Sequence, residues 1–454
     1  MRRIKCLVSV LSVILVITCN RGLIVNAAAD ENSVSDYVEE FCNDTKCNSV
    51  SVAVYTDGTA SFYGDADGLY QIGSMTKAFT GLGVQKLISE GKIDPQSTVS
   101  EFIPGFEAYF DKVQYEITVG QLLSQTSGYS NSESLYPGAD DDMTLQDWAH
   151  SISGKELQSI PGEKYSYSNV NYNLLGAIIE RLSGESYKVY MEREILIPLG
   201  LTNTFISVDP DDENIIPGSR IGYRHAFRYE IKVTEGRIPA GYIYSNARDM
   251  ARWMEIWLGT ADIPDEYKDI IGAVKTHLNE EGEYYSGWEV FGKETIGHSG
   301  GTPNYSSRMV FDKKGRTGVL VLTNLNVAAS TDSLCNGIYS YVSNGDKAGI
   351  ATDVWTVFDI IFSIASVTGV LLAVAAFCIR RRKALIIMGI AISLLVISIC
   401  ISLPLIFGAG LGDIMFVWAP YSFAGALVLL TVDILLFGIR FWMLNKNADR
   451  KKIS

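Results

Sequence analysis

Histidine and cysteine are scarce in this chain, four and seven among 454 residues. Neither set has metal-ligand spacing, so no metal centre of imidazole and thiolate is indicated. Positive charge is also short. Against 51 Asp and Glu stand 38 Lys and Arg, a formal net charge of −13. That balance argues against nucleic acid as a partner. The sequence shows no internal repeat and no low-complexity stretch, which argues against a solenoid or fibrous architecture.

Apolar residues are abundant instead, 47% of the chain, and mean hydropathy is positive. The excess sits at the two ends. Met1 to Ala29 reads as a secretory signal, with Arg2, Arg3 and Lys5 before the apolar run Leu7–Ile17 and Asn26-Ala-Ala-Ala29 at a cleavage site. Cys19 follows Thr18, a poor lipobox. Three apolar runs close the chain: Trp355–Ile379, Ala384–Phe407 and Phe416–Leu444. Each is long enough to cross a ~30 Å hydrocarbon core. Basic clusters follow the first run (Arg380, Arg381, Arg382, Lys383) and the third (Lys446, Arg450, Lys451, Lys452). Positive-inside bias puts both in the cytoplasm and the preceding domain outside. Asp433 in the third run reads either as a functional carboxylate or as a packing partner for Arg440. Pro404 and Pro420 are expected to kink their helices.

Between the ends, the central stretch is Tyr70-Gln-Ile-Gly-Ser-Met-Thr-Lys77. Ser74 and Lys77 stand three apart at the start of an apolar helical pattern, so hydroxyl and amine share one face. A helix N-terminus stabilises a developing oxyanion, and a desolvated Lys loses its proton readily. Alone, Ser-x-x-Lys is weak, an ordinary helix start as readily as a nucleophile. Two partners follow: Tyr167-Ser-Asn169, and His298-Ser299-Gly300-Gly301 before a strand-like segment.

These three motifs, in this order and spacing, resemble those of the penicillin-recognising serine hydrolases, most of all the class C β-lactamase-like branch with its Tyr-x-Asn. Thr118–Gly128, Pro198–Thr202 and Gly241–Ala251 read like that framework, and the resemblance covers about residues 48 to 342. It implies an α+β fold: an antiparallel sheet flanked by helices, with an all-helical subdomain. Three transmembrane helices are added at the C-terminal end. It implies Ser74 as nucleophile, Lys77 and Tyr167 sharing the proton work, and an acidified Tyr167 phenol. Asn169 would hold Lys77 and a substrate carbonyl. His298, Ser299, Gly300 and Gly301 would flank the substrate, with the Ser74 and Gly301 N–H groups as oxyanion hole. No metal or organic cofactor is needed. The third triplet departs from the penicillin-directed pattern by carrying His298 where a Lys is usual. A neutral imidazole does not anchor a substrate carboxylate, which weakens the case for β-lactams. The layout is similar to that of membrane-bound peptidases that trim N-acyl-D-amino-acid motifs from nonribosomal peptides.

The expected organisation is signal peptide 1–29, hydrolase domain 30–347, membrane domain 348–444 and basic cytoplasmic tail 445–454. The expected activity is hydrolysis of a small peptide or ester at the outer face of a bacterial cytoplasmic membrane. A non-turnover binding or sensor module and a true β-lactamase are the competing readings; oligomeric state is not legible. Outside the membrane, Cys42 and Cys47 bracket a short loop as a disulfide or as two free thiols, and Cys335 reads as core. His225 reads as a cleft residue or a surface one, and His150 and His277 as solvated.

Overall fold

The computed structural model describes residues 34–130, 143–208, 212–280, 283–292 and 294–453. The signal segment lies outside them. The described residues fall into two compact units: 34–219 with 228–351, and 220–227 with 352–453.

The first unit is built on a seven-stranded sheet. In chain order its strands are β1 (Val50–Thr56), β2 (Thr59–Gly64), β3 (Tyr284–Tyr285), β4 (Trp288–Phe291), β5 (Thr295–Gly301), β6 (Ser306–Asp312) and β7 (Thr317–Thr323). The spatial order is β2-β1-β7-β6-β5-β4-β3, and every pairing is antiparallel. The sheet thus brings the two ends of this unit's chain together. β1 and β2 meet through Asp57 and Gly58, both at positive φ (47° and 89°), the geometry that favours a tight hairpin. A hairpin at Lys313-Lys-Gly315 joins β6 to β7.

Helices pack on both faces. Thr76–Ser89 follows the turn that holds Ser74, contains Lys77 and is buried almost throughout. Gly91 ends it at φ 69°, with its N–H on the Ile88 carbonyl. Asn169–Ser183 begins at Ser168, whose hydroxyl accepts the Val170 N–H, and ends at left-handed Gly184. The sequence pattern places its start at Asn173, four residues late, because the first turn is polar and its apolar stripe begins only later. Ala247–Leu258 lies over the sheet through Trp253 and Trp257. Trp253 stacks on Phe79 at 4.0 Å and Trp257 packs against Trp288 at 4.9 Å, joining two helices and β4 in one aromatic core. Thr118 caps Val119–Leu123 in a reciprocal box with Gln121. Cys335 is fully buried under the Ala328–Asn344 helix. Cys42 and Cys47 are both free thiols.

The second unit holds three helices long and apolar enough to cross a membrane: Val354–Cys378, Arg382–Phe407 and the Tyr421–Asn447 part of the last helix. The expected third span from Phe416 is divided. Ile414–Trp418 forms a separate wide turn, Ala419 is extended, and the helix restarts at Tyr421. Pro420 therefore breaks rather than kinks: it disfavours a helical conformation at Ala419 and lacks an N–H to continue the ladder. Pro404 stays inside its helix. Asp433 is 1% exposed and neither of its carboxylate oxygens has a hydrogen-bond partner among the described residues. No ion pair to Arg440 forms.

Candidate active site

Ser74 sits in a single 3₁₀ turn, Gly73–Met75, that leads into the Thr76–Ser89 helix. The turn is pressed onto the end of β5. A Cβ on Gly73, itself at φ 53°, would stand 2.4 Å from the Gly301 nitrogen. A Cβ on Gly300 would meet the Ile72 carbonyl oxygen at 2.2 Å. Two backbones can approach this closely only where both lack a side chain. The contact is pinned from below, where the Ser307 hydroxyl donates to that Ile72 carbonyl at 2.7 Å. Gly301 differs from Gly300: a Cβ there would meet nothing within 4 Å. Its open side faces the cavity beside Ser74.

Lys77 follows one turn later and is fully buried. Its Nζ lies 3.0 Å from Ser74 Oγ, 2.6 Å from Asn169 Oδ1 and 2.6 Å from the Ala240 carbonyl oxygen. Burial holds the ammonium well below its ordinary pKa, and the charge of Glu289 opposes that shift only in part. A neutral amine has two N–H donors and one lone pair. Two of its three neighbours are carbonyl oxygens, which can only accept. Both hydrogens are thereby committed, and the lone pair is left for the Ser74 hydroxyl.

Tyr167 completes this group through a hydrogen bond with Ser74. Its ring centroid is 4.9 Å from Lys77 Nζ. The phenol is not acidified. Burial pushes its pKa up, with the Ser74 hydrogen bond only partly opposing the shift. The physical reason is that the same burial that desolvates Tyr167 also removes the charge from Lys77.

His298 is 2% exposed. Its Nδ1 lies 2.6 Å from the Ser299 carbonyl oxygen, so Nδ1 carries the proton and donates it. Nε2 lies 3.2 Å from the Tyr284 hydroxyl, which donates to it. Burial lowers the imidazole pKa to about 3. His298 is therefore a neutral wall under the strand, not a cation facing it. The Ser299 side chain is engaged away from Ser74: its hydroxyl donates to Asp332 Oδ2 at 3.0 Å and accepts from Arg308 Nη1 at 2.7 Å. His225 is exposed, meets Phe227 edge-to-face at 4.8 Å and lines neither cavity. His150 is exposed, while His277 is half-buried and stacks on Tyr285.

Sequence reasoning missed Asn173, whose Oδ1 accepts the Ala240 N–H at 3.1 Å, Ala240 itself, and the cation Arg237. With Ser74, Asn169, Gly301 and Tyr242, these residues line a small cavity of about 20 Å³. Beyond Tyr242 opens a groove of about 710 Å³, walled by Gln71, Ile215, Arg228, Tyr244 and Tyr305. Tyr242 is common to both. No cluster of His, Cys, Asp and Glu among the described residues has the geometry to hold a metal ion.

Residues 34–337 match the family model described as Beta-lactamase. The chain is 30% identical over 399 residues to Protein flp of Staphylococcus aureus strain N315, covering 81% of this chain and 78% of that one. A class C β-lactamase structure superposes with a TM-score of 0.58 at 18% identity, over 70% of this chain and 96% of its own. A β-lactamase/D-alanine carboxypeptidase structure from Pseudomonas syringae gives a TM-score of 0.58 at 15% identity, over 69% and 98%.

Proposed function

Because this chain belongs to the β-lactamase family of serine hydrolases, we propose that it hydrolyses an amide or ester through an acyl-enzyme on Ser74. The observation that carries the reading is the placement of Lys77, whose Nζ lies 3.0 Å from Ser74 Oγ while two acceptors, Asn169 Oδ1 and the Ala240 carbonyl oxygen, hold it at 2.6 Å each. Lys77 takes the Ser74 proton as Oγ bonds to the substrate carbonyl carbon. The resulting oxyanion is held by the Ser74 and Gly301 N–H groups. Tyr167, kept protonated by burial, gives its phenolic hydrogen to the departing nitrogen or oxygen as that bond breaks. The proton on Lys77 then restores the phenol. Water repeats the sequence in reverse on the ester and releases Ser74.

The substrate class that fits best is a small peptide, acylated or containing a D-amino acid. The P. syringae neighbour carries both β-lactamase and D-alanine carboxypeptidase in its name, which supports peptide cleavage as one branch of this chemistry. A neutral, buried His298 favours that branch over β-lactam turnover, since it offers no fixed charge beneath the strand. We place the hydrolase unit on the outer side of the membrane, following the positive-inside asymmetry around Arg380–Lys383.

The test is covalent labelling of membranes with a fluorophosphonate, wild type beside Ser74→Ala, with the adduct mapped by mass spectrometry. Labelling on Ser74 that vanishes in the variant is expected. Folded wild type that resists labelling while still retaining a cell-wall peptide would replace the hydrolase with a binding module.

A further inference from the structure

Gln71 lies three residues before Ser74 and walls the 710 Å³ groove. It is 2% exposed. Its Nε2 donates to the Tyr244 hydroxyl at 2.9 Å. Tyr244 is hydrogen-bonded to Tyr305, and the Tyr305 hydroxyl donates to the Ile216 carbonyl oxygen at 2.8 Å. That carbonyl can only accept, so the direction of the whole row is set. Tyr305 gives its one hydrogen to Ile216, and Tyr244 gives its own to Tyr305. Only a donor can then meet Tyr244 from the other side, which fixes the Gln71 amide with Nε2 on Tyr244 and Oε1 at its free end. Oε1 has no hydrogen-bond partner among the described residues. A buried acceptor without a donor is costly, and it is uncommon in a folded chain.

The groove around this oxygen has the volume of a ligand site, typically about 300–1,000 Å³. Ile206, Ile215 and Val233 give it aliphatic sides, and Tyr242 and Tyr244 aromatic ones. Its charged residues are of both signs, Arg228 and Lys232 against Asp212 and Glu213, and select no single ligand charge. Tyr242 also walls the cavity beside Ser74, so one molecule can occupy both. A hydrocarbon chain would suit the aliphatic sides but would keep Oε1 dry and unpaired. A peptide offers both parts: apolar side chains for the walls and a backbone N–H for Oε1.

We propose that the groove binds a peptide segment of the substrate, remote from the bond that is cut, and that Gln71 Oε1 accepts one backbone N–H of that segment. Gln71 is then a specificity-determining residue that selects a peptide over a plain acyl chain. A site built to receive an N–H rejects the analogue that lacks it, because its own acceptor is left unpaired. The link to turnover rests on the hydrolase reading; binding in the groove does not.

The test uses the full chain in detergent micelles and the p-nitroanilides of acetyl-Phe-Val-Gly-D-Ala, acetyl-D-Ala and dodecanoyl-D-Ala. Further tetrapeptides carry a single N-methyl group, at Phe, Val or Gly. The variants are Gln71→Met, which removes the acceptor at similar volume, and Val233→Trp, which fills the groove from a half-buried position. Wild type is expected to prefer the tetrapeptide to acetyl-D-Ala in kcat/KM, and to gain no such advantage from the dodecanoyl chain. N-methylation at one position is expected to cost wild type about tenfold, the scale of one lost hydrogen bond, and to cost Gln71→Met nothing. Val233→Trp is expected to erase the tetrapeptide advantage while acetyl-D-Ala stays within about twofold, a contrast that holds even where Gln71→Met fails to fold. N-methylation that is harmless everywhere, or equally harmful in wild type and Gln71→Met, would overturn the role of Gln71. A dodecanoyl substrate that outruns the tetrapeptide would make the groove an acyl-chain site and overturn the peptide assignment. If no anilide is cut, fluorophosphonate labelling of Ser74 decides whether the hydrolase reading stands. Fluorescence polarisation of the fluorescein-tagged tetrapeptide amide on Ser74→Ala, with the same N-methyl series, then decides the groove alone, and no binding there would overturn it.

Discussion

Asn173 fixes the peptide that fixes Lys77. Its Oδ1 accepts the Ala240 N–H at 3.1 Å, and the Ala240 carbonyl accepts from Lys77 Nζ at 2.6 Å. Asn173 lies one helical turn after Asn169, which holds the same amine from the other side. One helix thus sets both acceptors that direct the lone pair. Asn173→Ala should leave the fold intact and lower turnover about 100-fold, the usual scale for a small misplacement of a reacting group. Steady-state kinetics with a thermal melt as control would check it; a melt that falls as far as the rate would reassign Asn173 to stability.

A neutral Lys77 has a pH signature. Its folded pKa is depressed by burial, so the base is competent above that lowered value and is lost as pH falls through it. The acid limb of kcat/KM should therefore follow Lys77, and Lys77→Met should abolish that limb along with about 10³ of the rate. An acid limb surviving unchanged in the residual activity of Lys77→Met would remove Lys77 from the role of base.

Gly300 and Gly301 are neighbours with opposite constraints. Gly300→Ala drives a methyl into the Ile72 carbonyl and the Ser307 hydroxyl, at 2.2 and 2.1 Å. It should destabilise the unit by about 1–3 kcal/mol, the cost of forced overpacking. Gly301→Ala puts its methyl into open space, so its melting temperature should match wild type while KM rises. Reversed outcomes for the two variants would mean that the open face of Gly301 is not the substrate side.

Much of this was legible because local rules and the global fold agree. Asp57-Gly58 marks a hairpin, Gly91 and Gly184 mark helix ends, and Thr118 marks a helix start; each sits where its chemistry requires. Ser74, Lys77, Tyr167 and Asn169 were legible through order and spacing, and the fold does bring them within hydrogen-bonding reach. What stayed hidden depends on burial. The protonation of Tyr167 and Lys77 follows from desolvation, which no spacing reports. The side that Ser299 faces follows from strand register, and a slip of one residue would reverse it. Ala240 acts only through its carbonyl, which every residue has. The turn at Tyr223 binds Asp359, more than 130 residues further along the chain, a separation that no local pattern reports.

The buried His298 should make the protein acid-labile in a defined window. Its ordinary pKa near 6.5 falls to about 3 in the fold, so the unfolded chain binds a proton that the folded chain refuses. Stability from this group is complete above about pH 6.5, declines as pH falls below it, and is fully lost below about pH 3. His298→Gln is the informative variant. Its side-chain amide can donate to the Ser299 carbonyl and accept from the Tyr284 hydroxyl, as the imidazole does, yet it does not titrate. Chemical denaturation between pH 7 and pH 4 should show a steeper loss of stability for wild type than for His298→Gln, with the two curves converging in shape above pH 7. Parallel curves would mean that the imidazole takes up its proton in the folded state without penalty, and that the wall beneath Gly300 can carry charge after all.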